Sequence, residues 1–345
     1  MRREIGITWD SAEARRGALC ALPAVVIMLA VDVSLGMAFA IATIPVAMLG
    51  VPPQRIQRPR LGLVGLAFAV SYALGSVMGL WDVAAVAALT VLAFAGVVLS
   101  VRRPAAKLLP ALLLPGFALG TNHLAPEGFA VAAVMFAGAA WATLITCCWP
   151  TTHPPAITPT PPERESDPAH ALPSARMYGI LFAAAAGIGL ALGYLLNLVH
   201  VGWAAAAAMF IMRPDPGLLA SRALGRTVAT LAGVVAAGLL LHRGPTEVVL
   251  AIVTVATVSA MVAVRTSRWY ITGAGGALIV LLISGVSGIH EFKVSFAERL
   301  LETALGAGLA LTLGVAIPSG LRWLASRRAT HQPQPTTARR HQRPR

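Results

Sequence analysis

Long apolar runs alternate along the chain with short polar or proline-rich breaks. Uninterrupted apolar runs occupy residues 61–81, 83–101 and 225–241, close to the roughly 20 residues that cross a bilayer core as a helix. Splitting the chain at each break predicts about twelve spans, at 17–33, 36–51, 61–80, 83–101, 107–121, 127–149, 177–197, 201–213, 225–241, 246–264, 270–288 and 296–318. Two of them, 36–51 and 201–213, are short for a full crossing, so ten spans is the alternative count.

Helices are the element that such runs form in a membrane. Lipid cannot satisfy free backbone groups, so only helices and closed barrels span it, and a barrel needs short alternating segments that this chain lacks. The predicted fold class is therefore all-α, a polytopic transmembrane helix bundle. Composition agrees, because 57% of residues are hydrophobic and 12% charged, against roughly a quarter charged in soluble domains.

Basic residues are concentrated in alternate breaks, as the positive-inside rule requires of cytoplasmic loops. If the amino terminus is cytoplasmic, all of the 27 basic residues except Arg243, Lys293 and Arg299 lie on the cytoplasmic side. We therefore predict that both termini are cytoplasmic. The same pattern accounts for the net charge of +13 without a nucleic-acid-binding surface, since no aromatic residues interleave with the basic ones.

A proline-rich segment divides the apolar sequence. The prolines of residues 151–175 lie among polar neighbours and cannot continue a helix. We predict a first transmembrane half (1–150), a cytoplasmic linker (151–175), a second transmembrane half (176–325) and a disordered, arginine-rich cytoplasmic tail (326–345).

The two predicted halves resemble each other as two similar six-helix units. An offset of 168 residues aligns Arg58 with Arg226, Gly65 with Gly233, Gly120 with Gly288, Gly138 with Gly306 and Pro150 with Pro318. Six spans in each half would give both copies the same orientation, a parallel repeat with a pathway between the halves.

Three arginines around the start of the ninth span are candidate ligands for an anion. Arg213 lies in a proline-rich turn, and Arg222 and Arg226, at i and i+4, share one helical face at the predicted cytoplasmic boundary. Guanidiniums bind carboxylates through bidentate hydrogen bonds. The alternative is that these arginines anchor the helix to lipid headgroups.

Ionisable residues inside the apolar runs are candidates for coupling or gating, since charge at membrane depth is costly and often functional. Arg299 and Glu302 open the last span and can pair at i, i+3, and Glu302 could exchange protons. A structural ion pair is the alternative. Asp32 is flanked by apolar sequence, although a polar turn between helices also explains it.

The second half resembles the fusaric acid resistance family of membrane proteins, which includes bacterial aromatic acid exporters. The resemblance is carried by Trp203, Arg213-Pro214, Arg222, Arg226 and Gly233, and by Arg299, Glu302 and Gly306. It extends over about residues 20–320. Many members have a soluble domain between the halves, and residues 151–175 are too few for it, so this chain would be a short form.

The family resemblance and the repeat together predict an inner-membrane exporter of small organic anions, aromatic carboxylic acids among them, driven by the proton motive force. A passive anion channel and a non-transporting scaffold or accessory subunit are the alternatives.

No P-loop, hydrolase signature or metal-ligand cluster occurs in the sequence, so we expect no enzyme activity, cofactor or metal. The expected partners are the anion, membrane lipids and, in a homodimer, a second copy. Arginine outnumbers lysine and alanine is abundant, which favours a bacterial plasma membrane.

Overall fold

The computed structural model describes residues 7–103, 109–150, 175–212, 216–267, 271–286 and 292–320, together with Trp323 and Arg327. In this part of the chain the regular structure is entirely helical. The helices are α1 (Ser11–Ala30), α2 (Val33–Leu49), α3 (Arg60–Met78), α4 (Asp82–Arg102), α5 (Leu114–Gly120), α6 (Ala125–Cys148), α7 (Ala175–Leu195), α8 (Trp203–Ile211), α9 (Pro216–Leu241), α10 (Glu247–Ala263), α11 (Ile271–Val286) and α12 (Phe292–Leu311). Each predicted span corresponds to one of them.

Six helical stretches among the described residues are long and apolar enough to cross a membrane. They are Arg55–Met78, Asp82–Arg102, Ala125–Cys148, Arg176–Leu195, Leu219–Leu241 and Phe296–Gly320. Other apolar helices are shorter, and α8, with 9 residues, is only about 13 Å long. The chain is thus an all-helical membrane protein, while twelve full crossings remain a prediction. The predicted linker and tail lie outside the described residues, apart from residue 175 and Arg327.

A proline inside α1 creates a contact between helices. Pro23 has no backbone N–H, so the carbonyl of Leu19, four residues earlier, loses its usual donor. Trp141 of α6 donates its indole N–H to that carbonyl at 3.1 Å. The hydrogen bond satisfies a polar group that lipid could not and holds α6 against α1.

Helices of the two halves interlace. In the first half, α1 packs mainly against α10, and in the second half α7 packs in the same way against α4. Likewise α2 contacts α11, and α8 contacts α5. One apolar core therefore combines α4 and α5 with α7, α8 and α12, and the other combines α1, α2 and α6 with α10 and α11. Such reciprocal contacts are those of two copies related by a two-fold axis.

Close crossings of small residues align α6 with α12 at the offset found in the sequence. A Cβ added at Gly138 would lie 2.5 Å from the Ala42 Cβ, and one added at Gly306 would lie 2.6 Å from the Ala207 Cβ. Small residues at these places allow the backbones of α2 and α6, and of α8 and α12, to approach closely.

The offset is different for α3 and α9. A Cβ added at Gly75 of α3 would overlap the Phe117 carbonyl oxygen of α5, and one added at Gly233 of α9 would overlap the Ala274 carbonyl oxygen of α11. These matching crossings pair Gly75 with Gly233, and not Gly65 with Gly233 as the sequence alignment did. In this register Phe68, which lies against Gly116, corresponds to Arg226, which lies against Gly273. The sequence alignment missed the shift because it assumed one offset for every helix.

A buried ionic cluster lies at one end of the bundle. Glu13 accepts hydrogen bonds from Arg16, which is 0% exposed, at 3.0 Å and from Arg265 at 3.1 Å, so it joins α1 to the end of α10. Beside it, Arg58 donates to the carbonyls of Thr146, Cys147 and Trp149 and caps the end of α6. Segments predicted to share the cytoplasmic side thus meet at one end of the molecule.

Candidate functional site

Arg299 and Glu302 form a buried ion pair within the apolar stretch Phe296–Gly320. They lie one turn apart on α12, and Arg299 Nη1 donates to Glu302 Oε2 at 2.9 Å. Arg299 is 6% exposed and Glu302 is 1% exposed. Because each charge would be costly alone in lipid, their pairing is what allows both to lie there.

The Arg299 guanidinium also stacks on Trp203, the first residue of α8. Its central carbon lies 3.5 Å from the centroid of the indole ring, a geometry that stabilises a desolvated cation. Gly306 makes this stacking possible, because a side chain there would push α8 away through Ala207.

His200 lies in the turn before α8 and approaches the other end of the ion pair. Its Nδ1 is 3.9 Å from Glu302 Oε1, and 28% of its side chain is exposed. The two carboxylate oxygens therefore have different neighbours. Oε2 is held by Arg299, and Oε1 faces an imidazole that reaches the surface.

Arg226 on α9 adds a second guanidinium to the site. It lies ten residues after the first residue of α9, about 15 Å along the helix axis. Its central carbon is 5.1 Å from the ring centroid of Phe210 on α8, and a Cβ at Gly273 of α11 would lie 3.6 Å from its Nη1. It is near enough to Arg299 for the two charges to repel each other.

The arrangement has the chemistry of an anion site with aromatic walls. Two guanidiniums lie near each other, each against an aromatic ring, and one of them is paired with a buried carboxylate. Glu298 adds a partly buried residue one turn before Glu302 on α12. Arg299 Nη2 is buried and donates to no atom of the described residues, so it is available to an acceptor that displaces Glu302. Nowhere in the described part of the chain do three or more His, Cys, Asp or Glu residues lie together as metal ligands would.

A comparison with protein-family models decides the class of this half. Residues 184–313 match the model described as fusaric acid resistance protein-like. This segment is similar to fusaric acid resistance protein-like domains. The comparisons with curated proteins and with solved structures found no match. Over these residues the match confirms the family that the sequence motifs suggested. The family is one of membrane transporters, so the match suggests membrane transport as the function class.

The fusaric acid resistance protein-like domain contains every residue of the site just described. Trp203, Phe210, Arg226, Arg299 and Glu302 all lie between residues 184 and 313. Among the described residues of the first half there is no equivalent site, because Phe68 occupies the register position of Arg226. The offset of 168 residues that aligns α6 with α12 places Val131 and Val134 opposite Arg299 and Glu302.

The predicted site residues are distributed unevenly around this domain. Arg226, Arg299 and Glu302 come together. Arg222 lies one turn before Arg226 on α9 and is partly buried. Both arginines lie inside α9, which begins at Pro216 and so extends nine residues before the predicted apolar span 225–241. Arg213 lies outside the described residues.

Asp32 has a different environment. Its side chain accepts a hydrogen bond from the backbone N–H of Leu35 at 2.8 Å, so it is the N-cap of α2, and it is exposed. This geometry is that of a helix-capping residue. A role in gating stays a prediction.

Phe210 and His200 are the site residues that sequence reasoning did not assign. One local signal was present, since His200 precedes Trp203 by three residues, one helical turn, and the Trp-containing span belongs to the family motif.

Proposed function

We propose that the protein exports small organic anions, aromatic carboxylic acids in particular, across a bacterial inner membrane under the proton motive force. The observation that carries this proposal is the Arg299–Glu302 pair stacked on Trp203 beside Arg226, inside the membrane-spanning part of a transporter-family domain.

Arginine is the side chain suited to a carboxylate, because its planar fork matches the two oxygens. Arg222 and Arg226 attract the anion along α9 and pass it to Arg299. Phe210 and Trp203 then provide the apolar faces that an aromatic ring requires and an inorganic anion does not. This combination favours aromatic acids over small hydrophilic anions.

Glu302 acts as the gate in this mechanism. It and the anion compete for Arg299, so the ion pair must open before the anion passes. The displaced carboxylate is then buried without its counter-ion, which favours uptake of a proton. The negative-inside membrane potential, one component of the proton motive force, drives the anion outward.

The orientation follows from the charged ends of the bundle. The end that contains Arg16, Arg58 and Arg265 faces the cytoplasm, in agreement with the positive-inside rule. His200 and Trp203 then lie toward the outer side.

The test is efflux of labelled aromatic and aliphatic carboxylates from cells without other exporters. Loss of a charge-assisted bidentate contact removes roughly 1.5–3 kcal/mol, so Arg226→Ala should raise the concentration for half-maximal efflux about 10- to 100-fold. Arg243→Ala, which alters an exposed arginine after α9, is the matched control. Glu302→Gln should abolish the response to the proton gradient, with the exposed Glu247→Gln as its control.

Absence of efflux of every acid by well-expressed wild type would refute the exporter. Anion flux that follows its own gradient, with no response to the proton gradient in wild type, would show a passive channel.

A further inference from the structure

Glu302 cannot exchange protons with water directly. Its side chain is 2% exposed, and one oxygen is engaged by Arg299. The other oxygen, Oε1, accepts no hydrogen bond within the part of the chain that the structure describes. A group that delivers protons to Glu302 must therefore approach Oε1.

His200 is in the right place to do so. Its Nδ1 lies 3.9 Å from Oε1, while more than a quarter of its side chain is exposed. The turn that carries it is fixed, because the Trp203 N–H donates to the His200 carbonyl at 3.1 Å. The separation exceeds a hydrogen bond, and a small side-chain rotation or one bridging water closes it.

The other charged groups around Glu302 are less suited to this role. Arg299 on α12 and Arg226 on α9 keep their protons, and the α8 residue at the site, Trp203, does not titrate. Glu298 lies one turn from Glu302 on α12, toward its amino-terminal end, and is partly buried. It is the competing carrier, whereas imidazole exchanges protons most readily near neutral pH.

We propose that His200 is the port through which Glu302 exchanges protons with the outer side of the membrane. The role rests on the proposed function in one respect, that proton exchange at Glu302 accompanies anion passage. In each exchange, the exposed imidazole takes a proton from water and Nδ1 donates a proton to Oε1, leaving a neutral imidazole and a neutral carboxylic acid.

Infrared spectroscopy of the reconstituted protein tests the exchange without any substrate. After a pH jump, the carboxylic-acid carbonyl band that is missing in Glu302→Gln is followed in time. We expect His200→Ala to slow its appearance about 100-fold, as loss of a general acid or base does, and added imidazole to restore the rate. Rescue by imidazole separates proton transfer from a structural role, because a misfolded variant would not recover.

The exposed Glu247→Gln, away from the site, is the matched control and should leave the rate unchanged. Glu298→Gln tests the competing carrier, and it should slow the appearance of the band far less than His200→Ala does. The proposal would be overturned if Glu298→Gln slowed the appearance of the Glu302 band and His200→Ala did not. It would also be overturned if neither variant changed the rate at which the band appears, or if wild type showed no Glu302 band. Efflux from right-side-out vesicles is measured in parallel over a range of external pH. Proton exchange through His200 without efflux of any acid would refute the exporter and leave the port standing.

Discussion

Gly306 lies at the closest crossing of α12 and α8, and an alanine there should disturb both stability and transport. The added Cβ would lie 2.6 Å from the Ala207 Cβ and 2.8 Å from both the Ala204 carbonyl oxygen and the Ala208 backbone nitrogen. Two of these three atoms belong to the backbone, so no side-chain rotation can relieve the overlap. The helices must separate.

The size of the effect follows from these distances. Carbon atoms pack at about 3.5–4.0 Å, so α8 must move away by about 1 Å. Overpacking of this kind costs about 1–3 kcal/mol. Gly308→Ala on the same helix is the control, because a Cβ there meets nothing within 4 Å and alanine is favoured over glycine in a helix by roughly 0.5–1 kcal/mol. Both variants gain this helix preference, so they should differ by the overpacking cost alone, roughly 1–3 kcal/mol.

Thermal unfolding in detergent, followed by size-exclusion chromatography of a fluorescent fusion, measures the difference. Movement of α8 also draws Trp203 away from Arg299, so we expect efflux by Gly306→Ala to fall even at temperatures where the protein remains folded. Equal melting temperatures for Gly306→Ala and Gly308→Ala would refute the close crossing. Normal efflux in a destabilised Gly306→Ala would refute the dependence of the site on it.

Three further changes test other parts of the molecule. Glu13→Gln removes the ion pair to the fully buried Arg16 as well as the pair to Arg265, and it should lower the free energy of unfolding by about 3 kcal/mol, as loss of one partner of a buried pair does. The exposed Glu247→Gln should cost under about 1 kcal/mol. Trp141→Phe leaves a carbonyl of α1 without its donor and should cost about 1–3 kcal/mol in the same denaturation assay; no change would show that lipid or water satisfies it. Burial lowers the pKa of His123, in the turn between α5 and α6, below its ordinary 6.5, so the unfolded chain binds a proton first as the pH falls. Wild-type stability should decline below that pH and His123→Gln should flatten the decline, and parallel melting curves for the two proteins would contradict this.

Two helices start well before the apolar spans that the sequence predicted. The predicted first and ninth spans began at residues 17 and 225, and the helices begin at Ser11 and Pro216. The predicted spans were limited to apolar runs, whereas α1 and α9 extend beyond those runs through Arg16 and Arg222. Arginine is a good helix former, and α1 continues through Arg16 because Glu13 compensates its charge within the same turn. The polarity of a residue marks the edge of an apolar run and not the end of a helix.

The sequence by itself determined the features that depend on residues close together along the chain. Twelve apolar segments became twelve helices, since backbone groups in lipid must be satisfied within each segment. The pairing of Arg299 with Glu302 followed from their spacing of three residues on one helix, and the family motifs identified the domain.

Tertiary structure alone decided how the helices meet. The interlacing of the halves, the different register of α3 and α9, and the approach of His200, Phe210 and Arg226 to one ion pair all join segments far apart in sequence. These contacts depend on where small residues such as Gly306 allow two helices to touch. Hydropathy and spacing along one helix do not indicate which helix it packs against or in which register, because both depend on the complementary shapes of two helix surfaces.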